Sequence, residues 1–168
     1  MVKVIFIDDN YIYQNYPMPK RLDRANLLSI ISLEQLTSIQ DLLGSSLYDD
    51  LEQKVYDENL TEIELGLFKL VKYSLCLYSV RTTIALIRTG VGKTKNEESS
   101  LDSSSLDSLT NAIDPKIEYI NKRVVNYIKS DATLLAKAQE SNNDLFIEDD
   151  TYSSSVFYPS NSVTGTCE

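Results

Sequence analysis

The residues that could do chemistry are few, and their spacing decides most of what they do. Gly90-Val91-Gly92-Lys93-Thr94 ends as a phosphate-binding loop ends, in Gly-Lys-Thr. The pattern G-x-x-x-x-G-K-S/T needs its first glycine where this chain has Ile87, and it needs a strand before the loop and a helix after it. Here a helical pattern precedes the loop and a polar run follows, so it reads as a helix terminator. The paired carboxylates Asp8-Asp9, Asp49-Asp50, Glu97-Glu98 and Asp149-Asp150 have the groups for acid-base work or for holding a hard cation. None has the spacing of a calcium loop, and all fall beside turns or on polar faces, where a carboxylate is solvated charge. The chain has no histidine, which removes Ser-His-Asp and Cys-His nucleophiles, an imidazole proton shuttle and every zinc site built on imidazole. Cys76 lies between Leu75 and Leu77, surroundings that raise a thiol's pKa and make it packing rather than a nucleophile. The expectation is therefore no enzyme, with no catalytic, cofactor-binding or metal-ligating residue and no cofactor.

Composition narrows the class further. A chain of 168 residues has the length of one domain and buries about 70% of its unfolded surface. With 25 acidic and 16 basic residues it carries a net charge of −9, and 42% of its residues are apolar, a foldable balance. Gripping free DNA needs clustered Lys and Arg, and an acidic protein repels the phosphates. Cys76 and Cys167 have no close pairing and no leader sequence ahead of them, which points to a reducing compartment and the cytosol. The most apolar stretch, residues 65–91, is interrupted by Lys69, Lys72, Arg81 and Arg88, so no membrane partner is expected.

These residues need elements to position them. Residues 2–7 are β-branched and aromatic and stop at Asp8-Asp9-Asn10, which predicts a short strand. Tyr11, Tyr13 and Tyr16 follow, closed by Pro17 and Pro19, and predict an extended arm. Tyrosines in such an arm serve an interface or cover the protein's own core, and both roles stay open. From Asn26 apolar residues recur at helical spacing. Ser32-Leu33-Glu34-Gln35 fits a capping box, which places a helix over 33–43, ended by Gly44. A second helix runs over 46–56, and the two make a corner. Thr61-Glu62-Ile63-Glu64 is another capping box and opens a long helix to about Arg88 that is apolar almost all round. Such a helix is the core of one domain, or has one flank covered by a neighbouring copy. A polar run, 95–105, reads as a loop. Leu106, Leu109 and Ile113 resume a helix up to Asp114-Pro115, where a new one starts with Ile117, Ile120, Val124, Tyr127 and Ile128 buried and Lys116, Glu118, Lys122, Arg123 and Lys129 outside. A last short helix is capped by Asp131. The predicted fold is mainly α: a small bundle of about five helices with a short N-terminal strand and extended N- and C-terminal arms. Its parts are the strand and arm (1–25), the helical domain (26–143, with a polar insertion at about 91–105) and an acidic, Ser-rich tail (144–168). That tail carries −5 of the −9 and no base, yet it holds Phe146, Phe157 and Tyr158. Apolar beads in a polar tail predict docking on another subunit.

The run Leu36-Thr37-Ser38-Ile39-Gln40-Asp41-Leu42-Leu43-Gly44-Ser45-Ser46-Leu47-Tyr48-Asp49-Asp50-Leu51 resembles the head-tail connector proteins of tailed bacteriophages. The shared form is a helix ending in Gln-x-x-Leu-Leu-Gly, then x-x-Leu-Tyr and a second helix. A Thr-capped long apolar helix, a Thr-Gly-Val ending at Thr89-Gly90-Val91, a polar insertion and one more long helix continue it, over about residues 28–128. The form is most similar to the ring proteins of crAss-like phages. The resemblance implies a helical bundle of connector type that forms a ring, typically of twelve copies, in the neck of the virion. Its implied partners are the portal protein and neighbouring neck or tail rings, and DNA passes through the lumen without being bound. It also implies assembly in the host cytoplasm. The arm and the tail lie outside the resemblance. On this reading Phe6, Tyr11, Tyr13, Tyr16, Phe146, Phe157 and Tyr158 are the expected inter-subunit contacts, and Glu97, Glu98, Asp102 and Asp107 the expected channel lining. The rival reading is a monomeric acidic protein-binding module or DNA-mimic inhibitor. Mimicry needs carboxylates spaced like phosphates, whereas here the acid is concentrated in one tail beside a segment, 116–137, that holds five bases against Glu118 and Asp131.

Overall fold

The computed structural model describes residues 4–16, 23–88, 103–141 and 143–146, with residues 103–107 as backbone. They form a mainly helical bundle, and no strand occurs among them. Its centre is an antiparallel pair of long helices, α5 (Glu62–Arg88) and α6 (Ser103–Lys129). Polar cross-links fix their register. The Tyr127 hydroxyl donates to the Ile63 carbonyl at 3.0 Å, Ser74 donates to Asn121 at 2.9 Å, Asn121 donates to Tyr78 at 2.7 Å, and Arg81 pairs with Asp114 at 3.0 Å. Gly66 lets the Tyr127 ring lie against α5, since a Cβ there would stand 2.2 Å from its hydroxyl.

The remaining elements close over this pair. Residues 24–43 are one continuous helix, α2 (Arg24–Glu34) and α3 (Gln40–Leu43), joined by a π-helical turn over Gln35–Ile39. The reason is legible in the burial: Leu27, Ile31, Gln35, Ile39 and Leu43, every fourth residue, are all essentially inaccessible. A regular helix would rotate such a stripe by about 40° at each step, and a wide turn absorbs the drift. The start at residue 33 is thus corrected to Arg24. The true cap is Asp23, which accepts from the Ala25 N–H, and Glu34 and Gln35 of the apparent capping box make tertiary bonds instead. Glu34 accepts from Ser38 and Thr82, both at 2.5 Å, which ties α2 to α5.

Gly44 turns the chain into α4 (Ser45–Tyr56) with φ +79° and ψ +151°, a conformation open to glycine alone. Alongside it, α7 (Ala132–Gln139) approaches so closely that a Cβ on Gly44 would meet Ser141 at 2.9 Å. The predicted corner stands. Asp131 caps α7 through the N–H groups of Thr133 and Leu134, and Thr61 and Glu64 exchange the capping bonds of α5, both as predicted. The break at Asp114-Pro115 does not occur: Pro115 lies inside α6, on its exposed side.

At the N-terminal end, residues 4–8 are irregular rather than a strand. Their backbone bonds go to side chains: Phe6 N–H donates to Gln35 Oε1 at 2.9 Å, Gln35 Nε2 donates to the Val4 carbonyl at 2.7 Å, and Val4 N–H donates to Glu52 at 3.2 Å. The predicted extended arm is also corrected. Residues 9–15 are α1 (Asp9–Asn15), capped by Asp8, which accepts from the Tyr11 N–H at 2.9 Å. Only Tyr16, ahead of Pro17, takes the extended backbone that a following proline imposes.

Candidate interaction surfaces

The residues expected at subunit contacts divide sharply. Phe6, Tyr16 and Phe146 belong to the protein's own core, Phe146 with 1% of its surface exposed. Phe6 packs against Tyr48 and edge-on to Phe68, with ring centroids 5.6 and 5.3 Å apart. Tyr11 and Tyr13 pack on the same core and stay half-buried. In this conformation the tyrosines of α1 cover α5, the second of the two roles open to them. Lys72 lies over the Tyr11 ring at 5.2 Å and Lys116 over the Tyr16 ring at 5.8 Å, while burial raises both phenols above their ordinary pKa. Phe157, Tyr158, Glu97, Glu98 and Asp102 lie outside the described residues, as does the Asp107 side chain; so does the loop 90–94.

Asp8, Asp9 and Asp50 of the described carboxylate pairs have structural work. Asp8 caps α1, which holds its carboxyl below the ordinary range, and Asp9 pairs with Arg24 at 3.2 Å. Asp50 meets Lys137 at 2.5 Å and Lys54 at 3.3 Å, and Lys54 also pairs with Glu64, so α4, α5 and α7 share one charge network. Burial pushes the Glu64 carboxyl up, but bonds from Lys54 and Thr61 outweigh it and leave the group below its ordinary value. No group of three or more His, Cys, Asp or Glu able to hold a metal occurs among the described residues. Cys76 is fully buried, and burial pushes its thiol up to about 12, as its apolar neighbours predict. Helix α5 is long and apolar enough by composition to cross a membrane, but half of its most apolar window is packed inside the bundle.

What the fold leaves outside is the far side of α6. Ile113, Ile117, Ile120, Val124 and Ile128 face inward, and Lys116, Glu118, Tyr119, Lys122, Arg123 and Lys129 are exposed around the rest of the helix. Tyr119 is 63% exposed, with Arg123 one turn on at 5.9 Å from its ring. The bases on this face are legible from helical spacing, whereas Tyr119 gains its place only from the structure, because a tyrosine carries no sign of which side it serves. Apolar side chains also stand out on α2 and the π-turn, where Leu33 is 55% and Leu36 41% exposed.

No family model, curated protein or solved structure matches this chain.

Proposed function

We propose that the protein is a structural component of a phage neck, a head-tail connector that forms a ring between portal and tail and lets DNA pass. The observation that carries this reading is the α3–Gly44–α4 corner, formed by the segment on which the resemblance rests and followed by the Thr61-capped helix α5 and the long helix α6 in the implied order. The exposed Leu33 and Leu36 on the outer side of α2 and the π-turn support it, as apolar surface for contacts between copies. The network that welds α4, α5 and α7 gives the rigid body a ring needs. The basic face of α6 speaks against DNA mimicry, since a phosphate-like surface has no room for exposed Lys116, Lys122, Arg123 and Lys129. Particle images of the purified chain test the proposal: annular particles with a central opening are expected. Compact single-chain particles that inhibit a nuclease or polymerase would support the rival reading instead.

A further inference from the structure

We infer that the outward face of α6 is the docking site for the acidic C-terminal segment, residues 147–168, of a neighbouring copy. The face carries Lys116, Lys122, Arg123 and Lys129 with Tyr119 and one acid, Glu118; Lys116 and Arg123 lie over the rings of Tyr16 and Tyr119, and among the described residues no ion pair joins a carboxylate to any of these four cations. In a protein of net charge −9 with 25 acidic residues, a strip of four such cations has an anionic complement elsewhere. The chain supplies one. Residues 147–168 contain Glu148, Asp149, Asp150 and Glu168 and no base, and they include Tyr152, Phe157 and Tyr158 to stack on Tyr119 and the Arg123 guanidinium.

The anchoring of the segment points to a neighbour's α6. Phe146 is buried in the core, and its carbonyl accepts from Gln139 at 2.9 Å, so the chain leaves a fixed point inside the bundle. Glu148, Asp149 and Asp150 follow within about 7–14 Å of chain, at most about 3.6 Å per residue. Passing from the core side of a helix about 10–12 Å across to its far side takes about 16–19 Å around the circumference. The three acids reach the far side of their own α6 only when chain and side chains are extended, an entropic cost that a second copy's face does not impose. Exposed ion pairs are individually weak, so docking depends on several acting together with the aromatic contacts, and added salt weakens it.

This inference rests on the proposal that copies assemble, and the test separates the two. One copy carries Lys116→Gln, Lys122→Gln and Lys129→Gln with its tail intact. The other carries Glu148→Gln, Asp149→Asn and Asp150→Asn with its α6 intact. When the two are coexpressed, an acidic tail and a basic face meet only between chains. Carbodiimide cross-linking followed by peptide mass spectrometry is expected to join residues 148–150 to Lys116, Lys122 or Lys129. The expected yield is roughly a quarter of that in the wild-type assembly, because each head-to-tail contact joins one donor tail to one acceptor face. Links present in the wild type and lost from the coexpressed pair would show docking within one chain and overturn the inference, as would tail links to any other surface. The native mass of the same samples reads assembly separately. A ring without these links sinks the docking and leaves the ring, whereas links within dimers or open chains do the reverse.

Discussion

Gln35 shows how much of this fold turns on single side chains. It stands in a stripe of buried Leu and Ile, and its amide holds the Val4 carbonyl, the Phe6 N–H and the Tyr48 hydroxyl, the last at 3.0 Å. Replacing it with Leu keeps the volume and strands those groups, so Gln35→Leu is expected to cost about 2–4 kcal/mol, read as a lower urea midpoint, with faster hydrogen exchange at Phe6. Charge acts at the same scale through Lys54 and Glu64. Glu64 sits below its ordinary 4.5 when folded, so its contribution is complete above that pH and is lost as the pH falls through the folded value. Lys54 is raised above 10.5, first by its bond to Glu64, so its contribution is complete below that pH and is lost as the pH rises through the folded value. Stability against pH is expected to be flat between about 4.5 and 9, above which the unfolded chain ionises Cys76 while the folded thiol stays protonated to about 12, and Glu64→Gln is expected to flatten the acid limb and lower the plateau, as chemical denaturation across the range reads directly. Cys76 and the caps Thr61 and Asp131 were legible in the sequence because their neighbours decide them. Gln35 was not, because its backbone partners Val4 and Phe6 lie some thirty residues earlier in the chain.

Elements were legible where capping and periodicity agreed. Helices α4, α5 and α7 fall within a residue or two of expectation, and Gly44 sits at the bend. Its φ of +79° and the close approach of Ser141 predict that Gly44→Ala destabilises by about 1–3 kcal/mol, with the loss visible as a lower thermal midpoint at unchanged helical content below the transition. The misreadings share a cause in tertiary context. The β-branched run at residues 4–7 bonds to side chains rather than to a second strand, and α1 is too short for periodicity to outweigh its tyrosines. Pro115 reads as a boundary in any single sequence. Packing of Ile113 and Ile117 on α5, with Asp114 tied to Arg81, carries the helix through it. Pro115→Ala restores the missing N–H and is expected to raise stability by about 1–3 kcal/mol in the same melts.

At the scale of the whole molecule, the described residues contain a helical bundle whose potentially reactive groups are committed to caps, ion pairs and packing. Its outer surface carries exposed Leu33 and Leu36 on one side and the cations of α6 on another. The division of charge into a −4 body and a −5 tail was plain from composition, but which surface faces the tail required the inward stripe of α6 to be seen. In the proposed ring, copies would be held by geometry and surface complementarity, and an acidic lining at Glu97, Glu98, Asp102 and Asp107 would let DNA slide without adhering. The central claim is assembly into a closed ring, and the native mass of the intact protein across a concentration series tests it most directly. The account predicts one discrete high-mass species that persists as the sample is diluted, since a closed ring has no free end to grow or fray. A stable monomer at every concentration, or a ladder of open oligomers without a closed member, would contradict it.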